Sequence, residues 1–287
     1  MNPPQAGAVA AHETVIAPPG NWQALELREL WSHRELVYFL TKRELQVRYK
    51  QSIFGVSWAV LQPLAFAGIF AVVLGVILHY KPPGNLPYLV FAVASIVPWL
   101  FVSQAIQNGS TSLVQDSNLI AKVYFPRLAL PLSKGLSLLI DLGIALVLVI
   151  VITLLYGVTI ASTVWLVPAF LLLGVLTAFA MATLFSAINV KYRDVQLVVP
   201  MLIQIMFFAS PVIYSGTSAG DQAGKAWHYI YSINPIASVL DGMRWALFDT
   251  PYPGTINIAI SVASALVLLV GALIYFRRAE NYFADHV

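Results

Sequence analysis

Leu142–Val190 reads LGIALVLVIVITLLYGVTIASTVWLVPAFLLLGVLTAFAMATLFSAINV, 49 residues without one Asp, Glu, Lys or Arg. A helix with a wet face returns a polar residue every three or four positions. No such face can be drawn on this stretch. A hydrocarbon layer about 30 Å thick takes about 20 apolar helical residues to cross. The stretch is therefore long enough for two crossings joined by a short turn, placed at Gly157–Ser162.

Working outward, the same silence recurs at Gln51–Tyr80, Pro82–Gln115, Val195–Gly220 and Thr250–Phe276. Of the 287 residues, 59% are hydrophobic and 10% are charged, against about 25% charged in a soluble domain. Strand-like alternation is missing, so the segments are expected to be helices rather than barrel strands. The predicted spans are Ser57–Leu78, Tyr88–Gln107, Gly135–Tyr156, Thr163–Ile188, Val195–Tyr214 and Ile256–Phe276. The expected fold is an all-α integral membrane protein. Residues 1–25 form a disordered cytoplasmic tail, residues 26–56 a leading interface segment, and residues 57–287 the six-helix domain.

Six spans put both termini on one side. Thirteen of the 16 basic residues then fall together: Arg28, Arg34, Lys42, Arg43, Arg48, Lys50, Lys122, Arg127, Lys134, Lys191, Arg193, Arg277 and Arg278. Lys81, Lys225 and Arg244 fall on the other side. The positive-inside rule makes the thirteen-charge side cytoplasmic. The net charge of +3 thus reports topology, and nucleic acid is not expected as a partner. No Cys is present, so disulfides and thiolate sites are excluded. Met1–Gly20 has no basic stretch leading into an apolar run and is not read as a signal peptide.

Leu30–Lys50 places Leu30, His33, Leu36, Val37, Leu40, Glu44 and Val47 on about one third of the helical wheel, with Glu44 interrupting the stripe. This predicts an amphipathic helix in the cytoplasmic interface. Trp227–Phe248 is apolar but broken at Asn234-Pro235, because proline has no N–H and restricts the residue before it. Its halves are too short to span. A re-entrant hairpin in the outer leaflet is expected, the alternative being an external pair of surface helices.

The only ionisable residue inside a predicted span is Asp141, two turns into the third, read as hydrogen-bonded near the cytoplasmic face, with Lys134 as its partner. Secondary transporters need more such groups for ion coupling. No phosphate-binding GxxxxGK[ST] motif, HExxH or GxSxG occurs, and the five His do not cluster. Uphill transport would need an engine on another polypeptide. Two cytoplasmic loops can receive its force. In Gln115–Arg127, Asp116, Ser117 and Asn118 can cap a short helix whose apolar face Pro126 ends. In Asn189–Asp194, Asp194 can cap the fifth span. A simple turn carrying topogenic charge explains the second loop equally well.

Four stretches carry a resemblance: TKRELQVRYKQSIFGVSWAVLQPL at Thr41–Leu64, NLIAKVYFPRLALP at Asn118–Pro131, NVKYRDV at Asn189–Val195 and NPIASVLDGMRWALF at Asn234–Phe248. In order and spacing across Leu30–Val287 they resemble the transmembrane permease subunit of type-2 ABC exporters of polysaccharides such as O-antigen, capsule or teichoic acid. That resemblance implies a homodimer in a bacterial inner membrane, with two copies of a separate ATPase that carries ATP and magnesium; no cofactor is expected on this chain. It implies ATPase coupling through Asp116, Asn118, Lys122, Tyr124, Phe125, Arg127, Tyr192, Arg193 and Asp194. Asn234, Pro235 and Arg244 would belong to an outer gate.

The implied cargo is a lipid-linked glycan. Sugar C–H faces stack on aromatic rings, which singles out Trp58, Phe66, Phe207, Phe208 and Tyr214 as pathway residues. Arg43, Arg48 and Lys50 could meet the carrier head group or ordinary anionic membrane lipid. An ABC permease for a drug or lipid is the alternative reading. A membrane acyltransferase ranks far lower, because it would need more intramembrane acid and base groups.

Overall fold

The computed structural model describes residues 27–50, 54–122, 125–217 and 225–286, without the side chains of 27–29, 121, 225–228 and 281–286. The expected tail, residues 1–25, and Tyr124 lie outside them. Among the described residues every element is helical. The leading segment forms α1 (Leu27–Ser32) and α2 (Arg34–Lys50). The first predicted span is α3 (Trp58–Phe70), continued by a wider π-helical turn over Ala71–Ile77. Then come α4 (Tyr88–Gln115), the short α5 (Ser117–Lys122), α6 (Ala129–Leu155), α7 (Val167–Lys191), α8 (Val195–Ala209), α9 (Lys225–Ser232), α10 (Pro235–Phe248) and α11 (Thr255–His286).

Among the described residues, five helices are long and apolar enough to cross a membrane. The predicted fifth span is shorter than expected, because α8 has only 15 residues. That is about 22 Å of helix against a hydrocarbon layer of about 30 Å. Its end has a local cause. Ser210 is extended (φ −108°, ψ 154°), the conformation that a following proline, here Pro211, favours. The turn between α6 and α7 falls where predicted, at Gly157, whose φ of +66° suits the left-handed position after a helix.

α4 is the centre of the bundle: 83% of its apolar window is buried, against 11% for the first span. It packs on α3, α6, α7, α8 and α10, and α7 in turn packs on α11. A helix apolar on all faces belongs inside a bundle, and α4 carries the small residues Ala92, Ala94, Ser95, Ala105 and Gly109 that let neighbours approach. Its C-terminal half extends past the predicted Gln107. Ser110 and Ser112 are buried there because each hydroxyl donates to a carbonyl of its own helix, Gln107 at 2.8 Å and Gly109 at 2.7 Å.

The alternation of helices sorts the connections onto two ends. One end gathers α2, α5, the turn between α7 and α8, and the tail of α11. There the Arg127 guanidinium donates to the Glu280 carbonyl at 2.7 Å, and the Asn189 amide donates to the Ser110 carbonyl at 2.8 Å. The other end gathers residues 79–87, the turn between α6 and α7, and the segments around α9 and α10. There the Tyr88 hydroxyl donates to the Ile213 carbonyl at 2.7 Å, and the Ala161 amide donates to the Leu247 carbonyl at 2.9 Å.

In α10 every residue but Trp245 is buried. This is a helix embedded in the bundle, not a surface helix. The Asn234 side chain caps it, accepting from the Ile236 amide at 3.1 Å, with Pro235 in the first turn where its missing N–H costs nothing. A Cβ on Gly242 would overlap the ring of Phe170 on α7, which Trp245 already braces edge-on. Gly242→Ala is therefore expected to destabilise the bundle by about 1–3 kcal/mol, read as a lower melting temperature of the detergent-solubilised chain; an unchanged melt would refute the tight α7–α10 contact.

Candidate functional site: the charged end of the bundle

The stripe of α2 buries Val37 and Leu40 against Leu113, Phe125, Ala129, Leu130, Ala187 and Phe276. Glu44, which interrupts that stripe in sequence, turns inward with it. Its carboxylate lies 2.8 Å from the Lys134 ammonium of α6. Lys134 also lies 3.8 Å from Asp116, at the α4–α5 junction, and Asp116 pairs with Arg43 of α2. Four charges from three elements thus close into one network. The Glu44, Asp116 and Lys134 side chains are largely buried, while Arg43 reaches solvent. The bond to Asp116 holds the Arg43 guanidinium above its already high ordinary pKa, so it remains a cation throughout the physiological range.

The Lys134–Asp141 pairing expected from sequence is not formed. Asp141 instead accepts from Arg48 at 2.5 Å and from the Tyr49 hydroxyl, while Arg48 also donates to Ser137 at 3.3 Å. The C-terminal turn of α2 is thereby fixed to α6. Two of the three cations considered for a lipid head group, Arg43 and Arg48, are thus already paired with carboxylates. Lys50 is exposed at the end of α2.

The predicted coupling residues divide sharply. Phe125 is 5% exposed within the chain's own apolar cluster, so it anchors the loop and offers no ring to a partner. Asp116 is spent on the ion network. It sits just before α5, but its carboxylate does not serve as the cap. Asp194 likewise sits at the start of α8 without a side-chain cap bond. Arg127 is half-buried on the α11 backbone. Asn118, Lys122, Tyr192, Arg193 and Asp194 are exposed, and the Lys191 ammonium lies 5.1 Å from the centre of the Tyr192 ring. The charged end therefore presents a polar and aromatic surface beside a stiffened interior.

At the opposite end, Arg244 is 1% exposed. It donates to Asp241 at 3.0 Å, to the Tyr214 carbonyl at 2.9 Å and to the Pro211 carbonyl, with its guanidinium carbon 4.1 Å from the centre of the Phe91 ring. Asn234 bonds Ser210 at 2.8 Å as well as capping α10. These predicted gate residues act as fasteners of the broken α8–α10 connection. Of the predicted pathway aromatics, Phe207 is half-buried against the core, packed on Phe70 and Trp99, while Trp58, Phe66 and Phe208 are exposed and Tyr214 is intermediate.

Glu44, Asn189 and Asp241 were not singled out as functional from sequence. An acid on an otherwise apolar stripe was the available signal for Glu44. Asn189, two residues before the end of α7, and Asp241, within the apolar hairpin, stand out only as polar residues among hydrophobic ones.

A bundle of long apolar helices around one buried short helix, with charged loops at one end, is the architecture of a polytopic membrane protein. Residues 35–248 match the family model described as ABC-2 type transporter, and the chain belongs to that family. It is 30% identical over 259 residues to the O-antigen export system permease protein RfbA of Klebsiella pneumoniae, covering 88% of this chain and 94% of that protein. It is 28% identical over 261 residues to the protein of the same name from Myxococcus xanthus, covering 91% and 98%. Against the polysialic acid transport protein KpsM of Escherichia coli it is 24% identical over 247 residues, covering 83% and 91%.

Breaking a buried charge pair on one side costs about 3–5 kcal/mol. Lys134→Met leaves Arg43, itself half exposed, as the one cation facing both the Glu44 and the Asp116 carboxylates. It is expected to lower the melting temperature and to open α2 to trypsin near Lys42. Glu44→Gln together with Lys134→Met should recover most of that loss; equal melts for the single and double variants would deny the network its role.

Proposed function

We propose that this chain is the permease subunit of an ATP-driven exporter that carries a lipid-linked polysaccharide, an O-antigen or similar cell-surface glycan, across the bacterial inner membrane. Family membership and near full-length similarity to O-antigen export permeases support the cargo class. The observation that carries the mechanism is the charged end of the bundle. Its loops are fastened to α2, α6 and α11 by buried polar contacts, while Lys122, Tyr192, Arg193 and Asp194 face outward.

In this reading, two copies pair and two ATPase subunits, carrying ATP and magnesium, dock on those exposed residues. Both termini are cytoplasmic, and α2 lies along the cytoplasmic interface among membrane lipids. The chain crosses six times, with α8 and the extended residues after it together making the fifth crossing and α9–α10 forming the re-entrant outer hairpin. ATP-driven closure pushes on the outward residues. The ion network passes that push to α2 and α6 as a rigid-body shift.

Deleting the gene is expected to abolish surface glycan and to leave lipid-linked glycan inside the cell; undiminished surface glycan in the deletion strain would remove the proposal. Arg193→Glu is expected to cut export at least about tenfold, the loss of one strong interface contact, with the permease still present in the membrane. Export and ATPase co-purification both at wild-type levels would clear Arg193 of coupling.

A further inference from the structure

Between α2, α3, α4 and α6 lies a cavity of about 140 Å³. Six of its lining residues matter to its chemistry: Arg48, Tyr49, Trp58, Gln62, Gln104 and Asp141. Two features set it apart from an ordinary packing defect.

The first is hydrogen-bond accounting. Gln104 of α4 donates to the Gln62 side chain of α3 at 3.1 Å. Each amide brings two N–H donors and a carbonyl acceptor. Whichever way the two amides are oriented, one contact leaves most of that capacity open. No other side-chain bond of Gln62 or Gln104 occurs among the described residues, and both line the cavity. Gln62 sits one turn into an apolar helix. An open amide there is costly unless something polar occupies the space.

The second feature is charge. Arg48 is the cationic wall of the cavity, and its guanidinium is held by Asp141, which Tyr49 also bonds. The wall therefore sums to zero. An anionic head group would have to displace a carboxylate already in place. A neutral, hydroxyl-rich molecule needs no displacement, because planar amides and the rim of a bonded ion pair both donate to and accept from hydroxyls. Trp58, one turn from Gln62 on the same face of α3, adds an apolar ring, held edge-on by Phe54 with centroids 5.6 Å apart.

We propose that this cavity is a sugar subsite holding one uncharged ring of the transported glycan, with Gln62 and Gln104 bonding its hydroxyls and Trp58 covering its C–H face. The proposal rests on the polysaccharide export reading and adds to it a binding place and a polarity of ligand. It also assigns Arg48 to the wall of a neutral site instead of to a phosphate.

The test has a cellular and a binding arm, both using the full chain. In a deletion strain, the wild-type gene should restore surface glycan. Gln62→Leu with Gln104→Met should restore about one tenth of it, as expected when part-buried polar partners of a ligand are lost, with normal permease levels in the membrane. Full restoration by the paired variant overturns the subsite and marks the cavity as a water pocket, leaving the export reading intact. Surface glycan already present in the deletion strain overturns the export reading itself.

For binding, the purified permease in lipid nanodiscs is presented with repeat-unit oligosaccharide released from the host's own surface glycan by mild acid. Saturation-transfer NMR should show contact with the wild type and lose it in the paired variant. Inorganic pyrophosphate should not displace the sugar. Displacement by pyrophosphate, or equal contact with both proteins, overturns the proposal. If the paired variant fails to reach the membrane, Gln62→Asn replaces it: the amide is kept but withdrawn by one methylene, and the same loss of sugar contact is expected.

Discussion

A polar group surrounded by hydrocarbon must find its partner inside the protein, and the arrangement of this bundle follows from that requirement. It is met first by the backbone, which is why every described element is a helix. It is met next by serine and threonine hydroxyls, which return their protons to their own helices at Ser110, Ser112, Ser133, Thr153 and Thr177. The few charges then have nowhere to go but to one another. Arg43, Glu44, Asp116 and Lys134 close one network, Arg48 and Asp141 a second, and Arg244 and Asp241 a third. The first two networks staple α2 to the body of the bundle. The third holds together the segment where α8 ends and the chain turns back.

The same requirement explains which parts of the architecture are readable in the sequence. Charge-free length marks a crossing, so α3, α4, α6, α7 and α11 lie close to where the silences place them. α4 runs beyond its predicted end because its last two turns carry serine, threonine and asparagine, which lower hydropathy yet remain compatible with a buried helix. α8 stops early through Ser210 and Pro211, where the conformational bias ahead of a proline overrides an otherwise apolar run. The ends of elements are set by one or two residues, whereas their existence is set by twenty.

The charged site is less legible for a different reason. Glu44 and Lys134 are 90 positions apart, and neither residue announces the other. Each has a plausible local role, as a surface acid and a topogenic base, and only the packing of α2 on α6 brings them together. Arg244 is the sharper case. Its acceptors include the backbone carbonyls of Pro211 and Tyr214, which have no side-chain signature at all. The topology of the spans groups it with Lys81 and Lys225 on one side, which carries no hint that its guanidinium is enclosed. The family resemblance implied a coupling role for Phe125, but its ring is buried in the chain's own apolar cluster, where it anchors the loop.

The two ends of the bundle consequently differ in mechanical character. At the end away from the charged loops, Arg244 ties residues 211–214 to α10 and stacks on Phe91 of α4, while Asn234 ties Ser210 to the cap of α10. Opening within that connection would expose a guanidinium and a carboxylate together, which is expensive in a low-dielectric surround. Movement is cheaper along surfaces that carry no such bonds. α3 and α8 have them: Ile69, Val72, Leu197, Met201, Ile205 and Phe208 are exposed apolar side chains with nothing polar to break. In the exporter proposed above, a glycan path would therefore widen by sliding α3 and the apolar face of α8 against a neighbouring copy. The outer hairpin would travel with α4 as part of a rigid body instead of swinging on its own hinge.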